Sequence, residues 1–594
     1  MGLSLAFGES GLFLEYPFKV DVSPSSSYPA SLYWRLEENG VAFALEVEAR
    51  KSFRWLAFGL SDKGKYEWSD LCLMDGERMT DTWVDAHGAI RRDQQQDCLD
   101  FVHQEEESAL LTMVIGRSYR KNVLGTKVVR RITPYRLIRS GLPLPALEED
   151  VKSMVIGPTN LRLPPQKTTY WCTVVRLPPM PSKQHVLRYE AAVTEGHEMN
   201  VHHMEVYHCE LSIPRMPRYS GPCTADDRPE PVKQCRRVLA AWAMGAEPFW
   251  YPEEAGLPIG GPGFFPFVML ETHYDNPALR NDLVDSSGIR FYYTPKLRPY
   301  DAGVLEVGLI YTDHMAIPPR QPAFTLTGHC TPDCSDAGLS ANGIRIFGTQ
   351  LHSHNTGHRL RTTISREGRE IAVVNEDNHF VAHYQEIRHL LQPVQFLPGD
   401  AMHTSCVYDT SERSNVTFGG LGTEEEMCVN YLHYYPKSPL EVCKSAVDAS
   451  VLRNFFRDMT VIKNLSQPNF ARTGYSAIDW SYEGNAGALK SLYEKQPIEM
   501  ECLQHSGYPM PGNWSLQEIP YLDSRIPPEP RNCPPSSEME EEKAYVKKGQ
   551  AMKHKRLGKK RATVKGAVEK RHDMRKRHDM RKRHGDGQMN MCCG

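Results

Sequence analysis

Short runs of alternating apolar and polar residues recur along most of this chain. Up to about residue 120 the alternation is clear in Val41–Ala49 and Trp55–Leu60, and a period of two is typical of strands with one buried face. Prolines and glycines divide the chain into short strand-like runs as far as about Tyr435. The pattern predicts a mostly β chain that begins with a β-sandwich.

Three stretches depart from this pattern. The basic stretch Ser118–Pro145 loses the alternation, Ser450–Arg457 has the spacing of a helix, and Cys235–Ala243 suits a helix or a strand.

Near the end of the chain the hexapeptide Lys-Arg-His-Asp-Met-Arg occurs at 570–575 and again at 576–581. A charged tail that cannot build a core is predicted to be disordered. We assign no function to its regularly spaced histidines, which are His572, His578 and His584.

Length and charge exclude several classes of protein. At 594 residues the chain is long enough for several domains. Its formal net charge of -3 gives no global attraction for nucleic acid. The sequence has no run of about 18 apolar residues, so we expect no transmembrane span. Peripheral membrane association and a homo-oligomer are both compatible with the sequence.

Cysteines and glycosylation motifs together indicate an oxidising compartment. Ten of the 15 cysteines lie between Cys172 and Cys502 without a paired Cys-x-x-Cys zinc arrangement, which is typical of a disulfide framework. The start of the chain does not have the pattern of a signal peptide. We nevertheless predict the secretory pathway, ending in the extracellular space or a secretory vesicle, because three N-glycosylation motifs accompany the cysteines, at Asn415, Asn464 and Asn513.

His352 and His354 suggest a metal site. The preceding run, Ile344–Leu351, is predicted to be a strand, and residues two apart in a strand share a face, so both imidazoles would point the same way. With the thioether of Met427 they would form a soft ligand set, suited to copper that cycles through Cu(I). A methionine is more often a core residue. His358 shares the parity of the other two histidines, so spacing alone favours His358 as the third ligand.

A second histidine pair, His202 and His203, is harder to interpret. Adjacent residues of a regular strand point to opposite faces, so both could bind one ion only if the strand were distorted. His273 lies in another strand-like segment, where a histidine is more often a hydrogen-bonded residue of the sheet. From the residues alone, these three histidines are candidates and no more.

Seven segments stand in a characteristic order along the chain, namely Thr169–Cys172, Val201–Glu205, Tyr251–Gly256, Glu271–Pro277, Tyr300–Gly303, Gln350–His354 and Gly419–Cys428. In sequence and separation they resemble the copper type II, ascorbate-dependent monooxygenases. The resemblance extends over roughly residues 20 to 530.

The resemblance implies a fold and a division of the chain. We expect a DOMON β-sandwich with disrupted central strands, then two jelly-roll-type copper-binding β-sandwich domains, then a C-terminal extension with the basic repeat, predicted to be disordered. The implied boundaries are 1–148, 149–300, 301–505 and 506–594.

It also implies an active centre. One copper site, which supplies electrons, would use His202, His203 and His273, and an oxygen-binding copper site would use His352, His354 and Met427. Tyr170 and His352 match positions usually marked as active-site residues. The implied cofactors are two copper ions per chain, with ascorbate as electron donor and O2 as co-substrate.

Disulfide pairing follows from the same resemblance. It also leaves Cys533 without an evident partner, because the family's DOMON strands between about Ala109 and Ser140 are missing or scrambled. The implied pairs are Cys172–Cys223, Cys209–Cys235, Cys330–Cys443, Cys334–Cys502 and Cys406–Cys428.

Two functions remain open at this point. The first is a monooxygenase that hydroxylates a C–H bond of a small amine-type substrate, in the chemistry of catecholamine metabolism. Gln350 favours it, because the peptide-amidating branch of the family carries at that position an arginine that binds the substrate carboxylate. The second is an inactive copper-binding paralogue, or one that acts through interactions of its DOMON domain.

Overall fold

The structure is a computed structural model that describes residues 144–526 with short gaps. The gaps are 148–149, 199, 210–214, 244–245, 277, 379, 381, 383–384, 423, 461–465, 468 and 505–506. Ten strands between residues 3 and 131 are described at the level of the backbone. The basic repeat, the three tail histidines, Cys533 and Asn464 lie outside the described residues. No described helix is long and apolar enough to cross a membrane.

The ten N-terminal strands form two sheets. A four-stranded sheet has the order β1-β4-β3-β2, and a six-stranded sheet has the order β10-β9-β5-β6-β7-β8. The strands are β1 (Leu3–Ser4), β2 (Phe18–Asp21), β3 (Ala30–Glu37), β4 (Gly40–Val47), β5 (Trp55–Ser61), β6 (Ser69–Asp75), β7 (Arg78–Val84), β8 (Ile90–Arg92), β9 (Leu111–Arg120) and β10 (Val123–Arg131).

One expectation about this region is wrong. The stretch from Ser118 was expected to lose the strand pattern, and the central strands of the domain to be disrupted, yet β9 and β10 pair as an antiparallel hairpin. β9 also pairs with β5 inside the six-stranded sheet. The valines and threonine of β10 favour extended backbone in spite of the basic residues between them. The DOMON assignment itself stays a prediction.

The first β-sandwich comprises residues 152–301. Its six-stranded sheet has the order β11-β22-β14-β19-β23, with β18 paired to β14, and its five-stranded sheet has the order β16-β13-β20-β15-β17. β12 and β21 form a separate pair. Its elements are β11 (Lys152–Ile156), β12 (Leu161–Arg162), β13 (Thr168–Arg176), β14 (Lys183–Ala192), β15 (Val201–Cys209), β16 (Ser220–Pro222), α1 (Glu230–Lys233), β17 (Cys235–Ala243), β18 (Phe249–Trp250), β19 (Ala255–Gly260), β20 (Phe267–Asp275), β21 (Val284–Asp285), β22 (Gly288–Thr294) and β23 (Tyr300–Asp301).

The second β-sandwich comprises residues 303–504. A six-stranded sheet, β30-β27-β33-β24-β34-β35, faces a four-stranded sheet, β26-β31-β28-β29, and β25 pairs with β32. Its elements are β24 (Gly303–Leu309), β25 (Ala316–Ile317), β26 (Phe324–Cys330), α2 (Pro332–Gly338), β27 (Ile344–His352), β28 (Gly357–Arg366), β29 (Arg369–Asp377), β30 (Arg388–Phe396), β31 (Ala401–Tyr408), β32 (Thr417–Phe418), β33 (Val429–Tyr435), β34 (Leu440–Val447), α3 (Ala449–Met459), α4 (Phe470–Ser476), α5 (Glu483–Lys495) and β35 (Ile498–Gln504).

The strand and the helix predicted from local patterns both form. The predicted strand at Ile344–Leu351 is β27, and the predicted helix at Ser450–Arg457 lies within α3. The ambiguous segment Cys235–Ala243 is a strand, β17, held between α1 and its partner β15. The mostly β fold class is confirmed.

The implied end of the second domain at residue 505 comes too early. Residues 507–526 continue along the second β-sandwich, where the backbone of Met510 bonds to Cys502 and that of Gln517 to Ile498. The indole of Trp514 packs against the apolar core of that domain. Apolar anchors of this kind are spaced too widely to be recognised as a strand pattern. The disordered extension predicted from residue 506 is therefore wrong for these residues.

Five disulfides lie within the two β-sandwiches. They are the pairs that the resemblance implies, with S–S distances between 2.00 and 2.17 Å, namely Cys172–Cys223, Cys209–Cys235, Cys330–Cys443, Cys334–Cys502 and Cys406–Cys428.

The two β-sandwiches contact each other through an aromatic interface. Phe249 of the first stacks on Phe347 of the second, with ring centroids 5.9 Å apart. Trp250 stacks on His389 at 3.7 Å. His433 of the second sandwich lies against Phe249 at 4.7 Å. Burial of these rings holds the six-stranded sheet of the second sandwich against the first sandwich.

Candidate functional site

His202, His203 and His273 form a cluster on the first β-sandwich. His203 pairs directly with His273 across β15 and β20, and the register shifts between Val201 and His203. This bulge gives the distortion that an adjacent histidine pair requires, because the extra residue lets neighbouring side chains share a face. One nitrogen from each imidazole lies within 4.8 Å of the others. The Nδ1 atom of His203 is 3.4 Å from Nδ1 of both His202 and His273.

Tyr170 packs directly on this cluster. It lies opposite His273 in the pairing of β13 with β20. Its ring stacks on that imidazole with centroids 4.4 Å apart and an angle of 15° between the planes. Burial, followed by the nearby Glu271 and Glu205 carboxylates, raises the pKa of Tyr170 to about 12. The phenol is therefore neutral at physiological pH.

Asp285 anchors the segments that carry the three histidines, and sequence reasoning missed it. The Tyr274 hydroxyl, next in sequence to His273, donates to Asp285 at 2.8 Å, and the Ser287 hydroxyl donates at 2.7 Å. His197, in the turn before β15, contacts the same carboxylate at 2.8 Å. Burial acts to raise the pKa of Asp285, but these hydrogen bonds lower it overall. A single aspartate in a two-residue strand carries no sequence signal of such a role.

His352 and His354 lie together at the end of β27. Their ring centroids are 5.3 Å apart and their planes are inclined by 84°. Nδ1 of His354 lies 2.8 Å from the carbonyl oxygen of Glu425. Because a carbonyl can only accept, this nitrogen carries the proton and the Nε2 lone pair is left for a metal.

Met427 lies between Glu425, whose carbonyl oxygen contacts His354, and Val429, which pairs with His352. It is buried, with 5% of its surface exposed. The Tyr408 hydroxyl donates to its carbonyl oxygen at 2.8 Å. The next residue, Cys428, is tied to Cys406 by a disulfide, and Val429 pairs with His352 across the sheet. The structure thus holds Met427 by its backbone on both sides, close to the histidine-bearing strand.

The parity argument for His358 does not apply to this fold. β27 ends at His352, and the chain turns at Asn355–Thr356 before β28 begins at Gly357. β28 belongs to the four-stranded sheet, whereas β27 belongs to the six-stranded sheet. His358 therefore lies beyond a turn, and the alternation of side chains within β27 does not predict where it points.

Burial keeps the imidazole of His352 neutral. It lowers the pKa of His352 to about 3, with a smaller lowering from His354 and an opposing effect of the Gln385 side chain. The amide of Gln385 also donates to the carbonyl oxygen of Ser353 at 3.1 Å. A neutral imidazole keeps a lone pair free, which is the state a metal ligand requires.

The facing surfaces of the two β-sandwiches carry acidic groups and tyrosines. Val201, Met204 and Val206 point into the first core, so Glu205 alternates to the other face, opposite Glu271 on β20. Burial, followed by Glu205, raises the pKa of Glu271 to about 7.

The opposing face of the second sandwich carries Tyr431, whose pKa lies well above its usual value because of burial and then Glu306, Tyr311 and Glu205. The two surfaces lie close together, because the Arg237 guanidinium on β17 is 3.3 Å from the Glu441 carboxylate on β34. The ring of Tyr431 is 6.3 Å from that of His352. Lys444 donates to Glu306 at 3.0 Å and partly balances the acidic groups.

Gln350 is occupied by an internal contact. It is 5% exposed, and its side-chain amide donates to the carbonyl oxygen of Gln385 at 2.7 Å. It therefore supports the segment beside His352 and offers no cation at this position.

Two of the three sequence-predicted glycosylation sites lie among the described residues. Asn415 and Asn513 are both exposed, as a glycan requires.

Comparison with known proteins relates this geometry to a family. Residues 154–281 match the N-terminal domain, and residues 300–456 the C-terminal domain, of the copper type II ascorbate-dependent monooxygenases. The chain is 38% identical over 556 residues to dopamine beta-hydroxylase of Homo sapiens, covering 88% of this chain and 90% of that one.

Two further relatives carry other names. Tyramine beta-hydroxylase of Caenorhabditis briggsae is 45% identical over 370 residues, 61% of each chain. DBH-like monooxygenase protein 1 of Mus musculus is 32% identical over 473 residues, 73% of this chain and 75% of that one. By these similarities, the chain belongs to the copper type II ascorbate-dependent monooxygenase family.

Proposed function

We propose that this protein hydroxylates a C–H bond of a small amine with O2, using two copper ions and ascorbate as the electron donor. The reaction would balance as R–H, O2, two electrons and two protons giving R–OH and water. Copper would supply the one-electron steps and the activation of oxygen when bound at both sites.

The observation that carries the proposal is the bulged strand at His202 and His203. A regular strand would separate these imidazoles, whereas the bulge gathers them with His273 so that one nitrogen of each lies within 4.8 Å of the others. Three imidazole ligands suit copper and exclude magnesium and calcium as preferred ions. We assign the electron-supplying copper to these three residues.

The second set fits copper in a different way. His352 is neutral, because burial lowers its pKa to about 3, and His354 is turned by the Glu425 carbonyl so that Nε2 is free. A thioether from Met427 would add a soft ligand, which favours Cu(I), the oxidation state that reacts with dioxygen. We assign the oxygen-binding copper to these three residues.

The chain's own groups would orient and protect the reaction. Tyr170, stacked on His273, would fix that imidazole and cover the first site. The closely facing surfaces with Glu205, Glu271 and Tyr431 would hold substrate beside His352. We include Tyr170 and His352 as active-site residues on this basis.

A small amine is the substrate class that the charges favour. Burial raises the pKa of both Glu205 and Glu271, and an ammonium group bound between them would favour their ionised form and be attracted to it. Gln350 offers no charge-assisted bond to a carboxylate, and its amide is already engaged with Gln385. The names of two relatives, dopamine beta-hydroxylase and tyramine beta-hydroxylase, agree with this class.

The covalent structure supports a proposal for the compartment. Five disulfides within the two β-sandwiches form and persist in an oxidising environment. Exposed Asn415 and Asn513 could carry glycans there. We therefore place the protein in the secretory pathway, in a vesicle or outside the cell.

The function is tested by loading the protein with copper, reducing it with ascorbate without oxygen, and then admitting oxygen with tyramine. We expect tyramine-dependent oxygen uptake and a hydroxylated product. Met427→Ile should lose the product while His202, His203 and His273 keep their copper. Oxygen uptake that is independent of tyramine, with no product, would favour an inactive copper-binding protein.

The substrate class is tested in the same assay by competition between tyramine and a glycine-extended peptide. We expect tyramine to be hydroxylated in preference. Preferential hydroxylation of the peptide would contradict the assignment of an amine substrate.

A further inference from the structure

Glu426 is a buried acid that neither metal site uses directly. It lies immediately before Met427 and is fully buried, with 0% of its surface exposed. No lysine, arginine or histidine forms a salt bridge with it among the described residues. A buried carboxylate without a cationic partner is costly unless hydrogen bonds satisfy its oxygens.

Hydrogen bonds from the His354 turn satisfy both oxygens of Glu426. Oε2 accepts from the Ser353 hydroxyl at 2.9 Å and from the backbone N–H of His354 at 2.8 Å. Oε1 accepts from the N–H of Thr356 at 2.6 Å and from its hydroxyl at 2.7 Å. The N–H of Met427 lies 3.3 Å from Oε2.

These bonds join two segments that are far apart in sequence. The donors Ser353, His354 and Thr356 follow β27, whereas Glu426 and Met427 precede β33. The backbone of Glu426 is fixed in turn, because its N–H donates to Phe418 at 2.8 Å. A carboxylate fixed at its own backbone therefore fixes the turn that aims the imidazole of His354.

We propose that Glu426 is a positioning residue that clamps the turn bearing His354 onto the segment bearing Met427, so that imidazole and thioether converge on one copper ion. The inference rests on the proposed function only in taking these two side chains as ligands. Glu426 touches neither substrate nor metal and acts through the ligands, as outer partners of metal ligands do.

Its neighbours in sequence provide a contrast. Glu424 is exposed and pairs with Arg413, and Glu425 pairs with Arg472 at the surface. Three consecutive glutamates thus have different roles, and only the last is enclosed by donors. Glu424→Gln is accordingly a matched control, since it makes the same chemical change in the same segment.

Replacement of Glu426 by glutamine should be disruptive in either orientation of the new amide. Each carboxylate oxygen accepts from at least one backbone N–H, that of His354 on one side and that of Thr356 on the other. Whichever position the NH2 group takes, it meets a donor that cannot reverse its role. One side of the clamp must therefore open.

The test compares wild type, Glu426→Gln and Glu424→Gln as full-length, copper-loaded proteins reduced by ascorbate. X-ray absorption should show a sulfur scatterer in wild type and in Glu424→Gln, and a weakened or absent one in Glu426→Gln. Titration of Cu(I) against a chelator should show about 10–100-fold weaker binding at one of two sites. Copper at the other site should be unchanged.

A graded variant keeps the test informative if Glu426→Gln does not fold. Thr356→Val removes one hydroxyl donor and leaves the carboxylate in place, so we expect a smaller loss of Cu(I) affinity at the same site. Unchanged sulfur scattering and Cu(I) affinity in folded Glu426→Gln would overturn the proposal.

Failure of the proposed function would be seen separately. Wild type would then bind copper with sulfur scattering but would not hydroxylate tyramine, and the comparison of the two glutamine variants would still decide the role of Glu426. An absent sulfur signal in wild type would instead remove Met427 from the site, and with it this proposal.

Discussion

His433 lies buried at the interface between the two β-sandwiches, and its replacement by phenylalanine should make the protein less sensitive to acid. The side chain is 0% exposed, and neither ring nitrogen has a hydrogen-bond partner among the described residues. It packs on Phe249 and Phe347, and Tyr251 and His389 lie nearby. Protonation would place an unpaired charge in this aromatic interface.

The magnitude follows from the protonation equilibrium. Burial, and then His389, lowers the pKa of His433 from 6.5 to about 3. The folded state therefore stays neutral while the unfolded state binds a proton below pH 6.5, so stability is present above that pH and is lost progressively down to about pH 3. Acidification from pH 7.5 to pH 5.5 therefore lowers the free energy of unfolding by about 1.4 kcal/mol for one such histidine. This corresponds to a fall of roughly 3–6 °C in the Tm of a domain of this size.

The assay is thermal unfolding of the copper-free, disulfide-intact protein at pH 7.5 and pH 5.5. His433→Phe should raise Tm at pH 7.5, because two unsatisfied polar atoms are removed, and its Tm should fall by about 3–6 °C less than that of wild type on acidification. His208→Phe is the control, since Nε2 of that buried imidazole bonds to the carbonyl oxygen of Phe265 at 2.8 Å, and its loss should lower Tm at pH 7.5. An equal fall in Tm for wild type and His433→Phe would show that protonation of His433 does not destabilise the folded protein.

Two further predictions concern the candidate sites. Alanine at both Cys406 and Cys428, 22 residues apart, should cost about 3 kcal/mol of unfolding free energy and weaken copper at the Met427 site, as denaturation and copper analysis would show. Loss of the Cys209–Cys235 bond, with a separation of 26 residues, should lower the unfolding free energy by a similar amount without weakening copper binding at the Met427 site. An equal loss of copper in both variants would contradict a specific effect of the Cys406–Cys428 bond on that site. Glu205→Gln should raise KM for tyramine by about tenfold, the value of one charged hydrogen bond, while KM for a neutral phenol analogue stays the same, and an equal rise for both would exclude contact with the ammonium group.

Much of the fold could be predicted because its signals are local. Alternation in Ile344–Leu351 and helical spacing in Ser450–Arg457 depend only on neighbouring residues, and both elements form. The five disulfides came from resemblance, since spacing alone permits many pairings. The hairpin at Leu111–Arg131 was missed, because basic residues hid the β-branched ones.

The candidate sites depended on features that the sequence does not display. The bulge between Val201 and His203 is a property of the pairing of β15 with β20, so no pattern within β15 alone reveals it. Alternation of side chains does not extend from His354 to His358, because the turn at Asn355–Thr356 lies between them and has no clear signal in the sequence. Glu426 is the third of three glutamates, and only the fold distinguishes this buried residue from the exposed Glu424 and the partly buried Glu425.

In the function that we propose, two copper sites, one on each β-sandwich, together supply the two electrons of one hydroxylation. A single-turnover experiment tests this directly: the copper-loaded protein is reduced, ascorbate is removed, and the protein is mixed with oxygen and tyramine. We expect about one hydroxylated product per chain in wild type and a sharply lower yield in His273→Ala, which lacks a proposed ligand of the first site. Full product yield from His273→Ala, or no product from wild type with both coppers bound and reduced, would contradict it.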